Sequence, residues 1–186
     1  MAGESSEDSA AVRVATPRDL DALVALSLTC ARTQRSWAAA DWSPPDVVGE
    51  RRLWWERLRD GRTWVGVAEA GPTRVGCVSL WPARHGGSEP HLGYMAGPLV
   101  DPEWWGEGVG SRLHDEALAV LSRLRYRHTE VAVEAGNGRA RRFLEDRGWE
   151  RTDSQPTRSP MELLTYARAV PKPRFSRGRK RVSAAG

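Results

Sequence analysis

Three glycines at two-residue spacing, Gly106, Gly108 and Gly110, stand within the stretch 101–119, DPEWWGEGVGSRLHDEALA. An extended run ends just before it in Gly97-Pro98-Leu99-Val100, Asp101-Pro102 turns the chain, and helical apolar spacing begins at Val109. A strand, a glycine-rich turn and a helix N-terminus in that order present bare backbone N–H groups. Glycine removes the Cβ that would block approach, and the first helical turn adds unsatisfied donors and a partial positive charge. The chemistry served is anion binding, and a phosphate or pyrophosphate is the expected guest.

Spacing argues against two familiar phosphate binders. A dinucleotide fingerprint needs G-x-G-x-x-G with an acid about 20 positions on, whereas this loop reads G-x-G-x-G. A P-loop needs Gly-Lys-Ser/Thr, and the lysines of this chain, Lys172 and Lys180, lie far downstream. One helix and one strand later comes VAVEAGNGRARRFLEDRGWE, with Ala140 three residues after Asn137, Phe143 six after it, and Gly148 and Trp149 at eleven and twelve. Together with Trp104-Trp105-Gly106-Glu107-Gly108-Val109-Gly110, this order resembles the two acetyl-CoA motifs of GNAT-type N-acetyltransferases, whose pyrophosphate loop is written Q/R-x-x-G-x-G/A. The resemblance covers residues 91–150.

The elements that must position these motifs follow in chain order. Residues 1–10 are polar and acidic and predict disorder. Residues 11–15 alternate as a strand, and Thr16-Pro17-Arg18-Asp19 predicts a helix start with Thr16 as N-cap. A second helix is expected from Pro45 to Arg59. Strands over 63–69 and 74–81, joined by Ala70-Gly71-Pro72-Thr73, read as a hairpin. A flexible loop over 82–90 leads to a fourth strand, 91–100. A helix from Val109 to Leu124, a strand over 129–134, a helix over 138–147 and a final pair, 149–153 and 161–169, complete the order βααβββαβαββ. The resemblance implies an α/β (α+β) fold with a mixed, mostly antiparallel sheet flanked by helices, its fourth and fifth strands splayed around acetyl-CoA.

With 186 residues, 40% hydrophobic and 28% charged, the chain suits one domain, expected over 11–169. No apolar run approaches a membrane span, and the N-terminus lacks the apolar core of a secretory signal. Cys30 and Cys77 have no metal-ligand spacing and read as buried free thiols of a cytoplasmic protein. The formal charge of +4 is concentrated: residues 170–186 hold six of the 28 basic residues and no acid. That segment reads as a solvated, disordered tail, so nucleic acid is not the expected partner.

The family resemblance then implies roles. The backbone of Leu99 and Val100 is expected to hold the pantetheine arm, with Trp105, Gly106, Gly108, Val109, Gly110 and Ser111 at the pyrophosphate. Asn137 is expected beside the pantetheine and Phe143 on the far wall. Trp105 replaces the usual Gln/Arg, and Glu107 is expected to point to solvent, away from the pyrophosphate. Leu144 occupies the place where many members carry a tyrosine that protonates the thiolate.

Proton removal is the harder problem. An alkyl ammonium of pKa near 10.4 is only about one part in a thousand neutral near pH 7.4, roughly 4 kcal/mol against attack. The fourth strand, HLGYMAGPLV, contains no acid, so the candidates are His91, Tyr94 and Glu134, with Glu89 behind them. No metal is implied. For the acceptor, the aromatic stretch with Trp37, Asp41 and Trp42, followed by Asp46, Trp54 and Trp55, suits a cationic amine through cation–π contact and charge. The expected function is transfer of an acetyl group from acetyl-CoA to a primary amine of a small molecule by direct attack in a ternary complex. The alternatives are a peptide or protein amine, or a non-catalytic acyl-CoA-binding module with a nucleic-acid-binding tail. Whether two subunits pair as a homodimer is left open.

Overall fold

In the computed structural model of the chain, residues 10–38, 42–83, 91–152 and 162–172 are described. Residues 1–9 and 173–186 of the segments expected to be disordered, residues 84–90 of the loop expected over 82–90, including Glu89, and Asp41 lie outside the described residues. Where the described residues reach into the expected disorder it does not hold, since Ala10 and Val170 are buried in the core. The elements are β1 (Ala11–Val14), α1 (Leu20–Gln34), α2 (Val47–Arg59), β2 (Trp64–Ala70), β3 (Thr73–Pro82), β4 (Leu92–Val100), α3 (Val109–Arg123), β5 (His128–Glu134), α4 (Gly138–Glu145), β6 (Glu150–Thr152) and β7 (Leu163–Ala169). Their order is the expected one. The differences lie at the ends and have local causes.

The first helix does not begin at Pro17. Pro17–Asp19 is a 3-10 turn, in which the Asp19 carboxylate accepts from Thr16 N at 2.8 Å and from its hydroxyl at 3.1 Å. Likewise α2 starts at Val47 because Asp46 caps it, accepting from Gly49 N at 2.9 Å. Past the end of α4, Gly148 adopts φ +70° while Trp149 N donates to Leu144 O at 3.1 Å, which closes the helix short of Arg147.

The strands form one seven-stranded sheet in the order β1-β2-β3-β4-β5-β7-β6. Every pairing is antiparallel except that of β4 with β5. One face packs against α3 and α4, with Val109, Leu113, Leu121 and Leu144 meeting Val78, Leu80, Met95, Val131 and Val133. The other packs against α1 and α2, with Leu20, Leu23, Leu26 and Trp54 meeting Val65, Val67 and Cys77. Each buried aliphatic side chain contributes about 1.5–3 kcal/mol. Helix α3 lies close to the sheet because Gly76 is bare: a Cβ there would stand 2.8 Å from a Leu113 methyl. That closeness fixes where the helix N-terminus, and the glycine turn before it, meet the end of β4.

Candidate active site

The sheet opens between β4 and β5. Their parallel ladder has four rungs, from Leu92↔His128 to Met95↔Val131, and ends there. Beyond it β4 continues along β3 and β5 along β7. On β4 the register with β3 shifts between Cys77↔Leu99 and Ser79↔Ala96, so Gly97 and Pro98 together stand opposite Val78 alone. Gly97 has φ +94° and the Gly97–Pro98 peptide is cis. Past this bulge, Asp101 N donates to Val75 O at 3.0 Å. Antiparallel alternation therefore turns the Leu99 backbone toward β3 and the Val100 backbone toward the opening. Of the two residues expected at the pantetheine, only Val100 turns its backbone toward the opening. Its carbonyl accepts from Trp105 Nε1 at 2.9 Å and from the Cys30 thiol at 3.4 Å.

Cys30 is thus half-buried at the edge of the opening, while Cys77 is buried; both are free. Burial, reinforced by nearby Asp101, pushes the Cys30 thiol up to about 12. It stays protonated, consistent with its role as a donor.

The turn after β4 is built for an anion. A 3-10 turn, Pro102–Trp104, is capped by Asp101, whose Oδ1 accepts from Glu103 N at 3.0 Å. Gly106 follows at φ +97° and Gly108, the N-cap of α3, at φ +76°. Side-chain-bearing residues rarely adopt either angle. An added Cβ at Gly106 or Gly108 would meet nothing within 4 Å, so both face open space. The first turn of α3 carries no acid, and its amides from Val109 to Ser111 lack intrahelical acceptors. Arg139 lies 4.1 Å from the centre of the Trp105 ring, and Arg147 donates to Ser111 Oγ at 2.5 Å. Glu107 is exposed, as a group kept away from an anion should be. Open glycines, unsatisfied helix donors and two arginines fit a phosphate-bearing cofactor.

The second motif supports this turn from behind. Asn137 caps α4, its Oδ1 accepting from Ala140 N at 3.0 Å. Phe143 lies 3.5 Å from where a Gly110 Cβ would be, with the Arg147 guanidinium 3.9 Å from its ring centre. Phe143 also meets the ring of His114 edge-on at 5.8 Å. His114 is buried and accepts from Trp149 Nε1 at 3.0 Å. Leu144 points into the core, 3% exposed, so a hydroxyl at that position would not face the opening.

The three expected proton acceptors are not brought together. His91 is exposed in the turn before β4, at the closed end of the ladder, and its carbonyl accepts from Arg127 N and His128 N. Glu134 lies at the other end of β5, where it accepts from Gln34 Nε2 at 3.0 Å. Tyr94 alone lies where the strands part, on the rung it shares with Glu130. Burial, then the charge of Glu130 and a hydrogen bond to it, raise the phenol above its usual 10. Tyr94 is therefore held protonated near neutral pH, a state that suits giving a proton.

Glu130 was not among the expected residues. Its signal is present in His128-Thr129-Glu130-Val131-Ala132-Val133-Glu134, where buried Thr129, Val131 and Val133 alternate with Glu130 and Glu134 on the opposite face. What the sequence does not fix is the parallel register that sets Glu130 opposite Tyr94. Glu130 also borders an open depression of about 550 Å³, shared with Leu92, His128, Gly148 and Glu150.

The expected acceptor residues divide. Trp37 packs on the turn after β5, where a Cβ on Gly136 would stand 2.8 Å from its own. With Arg32, Thr33, Ser36 and Trp105 it lines an open depression of about 480 Å³ between the end of α1 and the glycine turn. Trp42 is half-buried before α2. Trp54 is a core residue, 1% exposed, and Trp55 faces solvent.

No curated protein matches this sequence. Among solved structures the chain resembles a ribosomal-protein-alanine N-acetyltransferase from Brucella melitensis at 24% identity, over 86% of this chain and 99% of that one, with TM-score 0.67. It also resembles PaiA N-acetyltransferase from Thermoplasma acidophilum in complex with coenzyme A, at 15% identity over 84% and 98% of the two chains, with TM-score 0.67. A third is yncA from Salmonella typhimurium with acetyl-CoA, at 18% identity over 88% and 95%, with TM-score 0.67. The model of the acetyltransferase (GNAT) family matches residues 30–149. With both motifs inside that match and the splayed sheet around them, the chain belongs to the GNAT family of acetyl-CoA-dependent N-acetyltransferases.

Proposed function

We propose that this enzyme acetylates a primary amine of a small molecule by direct attack within a ternary complex. Acetyl-CoA supplies the acetyl group as a thioester. The amides of Gly106, Gly108, Val109, Gly110 and Ser111 hold the pyrophosphate, with Trp105 stacked beneath Arg139 at its edge. The Val100 backbone and the free Nδ2 of Asn137 orient the pantetheine, and Phe143 supports the turn from behind. Two free thiols and no helix, among the described residues, long and apolar enough to cross a membrane support a cytoplasmic setting.

The observation that carries the reading is the Tyr94–Glu130 pair on the rung before the ladder ends. Glu130 takes a proton from the acceptor ammonium, and the freed nitrogen forms the amide bond as the carbon–sulfur bond breaks. Tyr94 gives its proton to the departing sulfur and regains one from Glu130, while the nitrogen sheds its second proton to water as it becomes an amide. Of the two protons leaving the ammonium, one thus ends on the thiol and one in solvent. Positioning of amine and thioester supplies the remainder. The open depression beside Glu130 favours a second reading, a peptide amine, since an extended acceptor needs a groove rather than a closed pocket.

The test is thiol release from acetyl-CoA across small amines and short peptides, measured beside thermal stabilisation by acetyl-CoA alone. Stabilisation with turnover of a small amine is the expected result. Turnover of peptides only selects the second reading. Stabilisation without any turnover would leave an acyl-CoA-binding module, and absence of stabilisation would count against the glycine turn as its site.

A further inference from the structure

The layer between α2 and the sheet holds a cation that has no counter-ion among the described residues. Arg57 of α2 lies 5.0 Å from the centre of the Trp54 ring and 5.4 Å from that of Trp81. No carboxylate among the described residues stands within salt-bridge distance of it. The one carboxylate whose charge acts on it among the described residues, Glu50, accepts from the Ser27 hydroxyl at 2.5 Å. Burial lowers the guanidinium pKa from 12.5, the direction expected of a charge removed from water without compensation.

Two further donors in this layer lack acceptors. Ser79 Oγ and Trp54 Nε1 are buried without hydrogen-bond partners, and both residues are 1% exposed. Cys77, Ser79 and Trp81 alternate along β3 on the face that meets α1 and α2. Trp81 pairs with Tyr94 in register, their ring centres 6.3 Å apart. Arg57, Trp81, Tyr94 and Glu130 thus form one continuous row ending where the sheet opens. A site with a carboxylate at one end and an unpaired guanidinium at the other is complementary to a molecule carrying both charges.

We propose that the amine acceptor also carries a carboxylate, and that Arg57 binds it. This deepens the acetyltransferase reading and rests on it. The guanidinium sits beside two indoles, and its N–H groups, bonded to no carboxylate among the described residues, match a planar carboxylate through two parallel hydrogen bonds. An ω-amino acid or a short peptide meets this description. A plain alkyl amine leaves Arg57 unpaired and gains nothing from it.

The test compares ω-amino acids from glycine to 6-aminohexanoate, and glycylglycine, with their carboxamides and with the matching aminoalkylphosphonates. The expected result is a KM about tenfold or more lower for the best carboxylate than for its amide, as befits a charged hydrogen bond. Arg57→Met should abolish that preference through KM while kcat changes less than about twofold, with Arg57→Lys intermediate because it keeps the charge but loses the fork. Melting curves confirm that both variants fold. Equal use of acid and amide, or an equal loss for both in Arg57→Met, would overturn the proposal; preference for the phosphonate would overturn the planar match. Calorimetric binding of the same acids to the CoA-loaded protein keeps the two readings apart. Absence of turnover on every amine strikes the acetyltransferase reading, whereas carboxylate binding that is lost in Arg57→Met upholds the anion site and no such binding overturns it.

Discussion

Tyr94 and Glu130 stand opposite each other on the third of the four rungs that join β4 to β5. The next rung is the last, so the pair lies where the two strands separate. Because burial and Glu130 raise the phenol above its usual 10, the pair has one shared proton on Tyr94 and one carboxylate able to accept another.

Glu130→Gln removes the acceptor and should lower kcat by about 10²- to 10⁴-fold, the range for a positioned acid or base. Acetyl-CoA binding should be unchanged. Tyr94→Phe should lower kcat without altering the shape of the pH profile below about pH 10, since a tyrosine with a raised pKa stays protonated throughout that range. A basic limb near neutral pH that disappears in Tyr94→Phe would contradict the assignment of Tyr94 as a proton donor.

The glycine turn makes a separate prediction. Gly108 holds φ +76° in open space, so Gly108→Ala meets no atom within 4 Å but strains the backbone. The cost is about 1–2 kcal/mol, since L-residues disfavour the left-handed region. The turn can relieve that strain by shifting the amides it presents, so acetyl-CoA should bind roughly tenfold more weakly, which corresponds to about 1.4 kcal/mol. Gly110→Ala provides the contrast. Its Cβ would reach ordinary contact with Phe143 at 3.5 Å, so both fold and affinity should be nearly retained. Titration of acetyl-CoA against the two variants measures the difference.

The cofactor side of this site was legible in the sequence because its information is local. Glycine spacing, the helix that follows and the downstream Asn137-to-Trp149 pattern each sit within one stretch of chain. The proton-transfer side was not. Glu130 acquires its role from a parallel register between strands separated by α3, and register is fixed by packing on both faces rather than by any short motif. Trp37 shows the same limit. Its aromatic neighbourhood in sequence suggests an acceptor wall, but its contact with Gly136 beside the glycine turn is set by tertiary packing that no local pattern shows. Helix starts were misplaced by two or three residues where a carboxylate, Asp19 or Asp46, captured a backbone amide.

Asp19 ties the first strand to the sheet and sets a stability prediction. Its carboxylate accepts from Arg13 Nη2 at 2.8 Å and from Arg74 Nε at 2.9 Å, with its side chain 1% exposed. Asp19→Asn breaks both ion pairs and leaves the two guanidinium groups to share Glu69 alone, a loss of about 3 kcal/mol. At this chain length that lowers Tm by roughly 10 °C. The Arg13 hydrogen bonds, then those of Thr16 and Arg74, hold the carboxyl well below the usual range. The unfolded chain therefore takes up this proton first, and the stabilisation is present above about pH 4 and lost as pH falls below it. Denaturant titrations between pH 2 and 5 should show that slope in the wild type and its reduction in Asp19→Asn.

His114 and Trp149 make the opposite kind of pH argument. The indole N–H can only donate, so His114 Nε2 must be the acceptor at 3.0 Å. The proton of the neutral ring then sits on Nδ1, which donates to Asp115 Oδ1 at 3.0 Å. Protonating Nε2 would set two donors against each other in a buried site, and burial accordingly lowers the pKa from 6.5 despite Asp115. A histidine with a depressed pKa binds its proton more readily when unfolded, so stability falls as pH drops below about 6.5 and levels off below the folded pKa. His114→Phe should erase that slope and leave Trp149 Nε1 unpaired, at a cost of about 1–3 kcal/mol. Trp149→Phe in the same background removes the stranded donor, so the double variant should be less destabilised than the sum of the single ones. Strict additivity across that cycle would show that the hydrogen bond contributes nothing to holding the Phe143 side of the site in place.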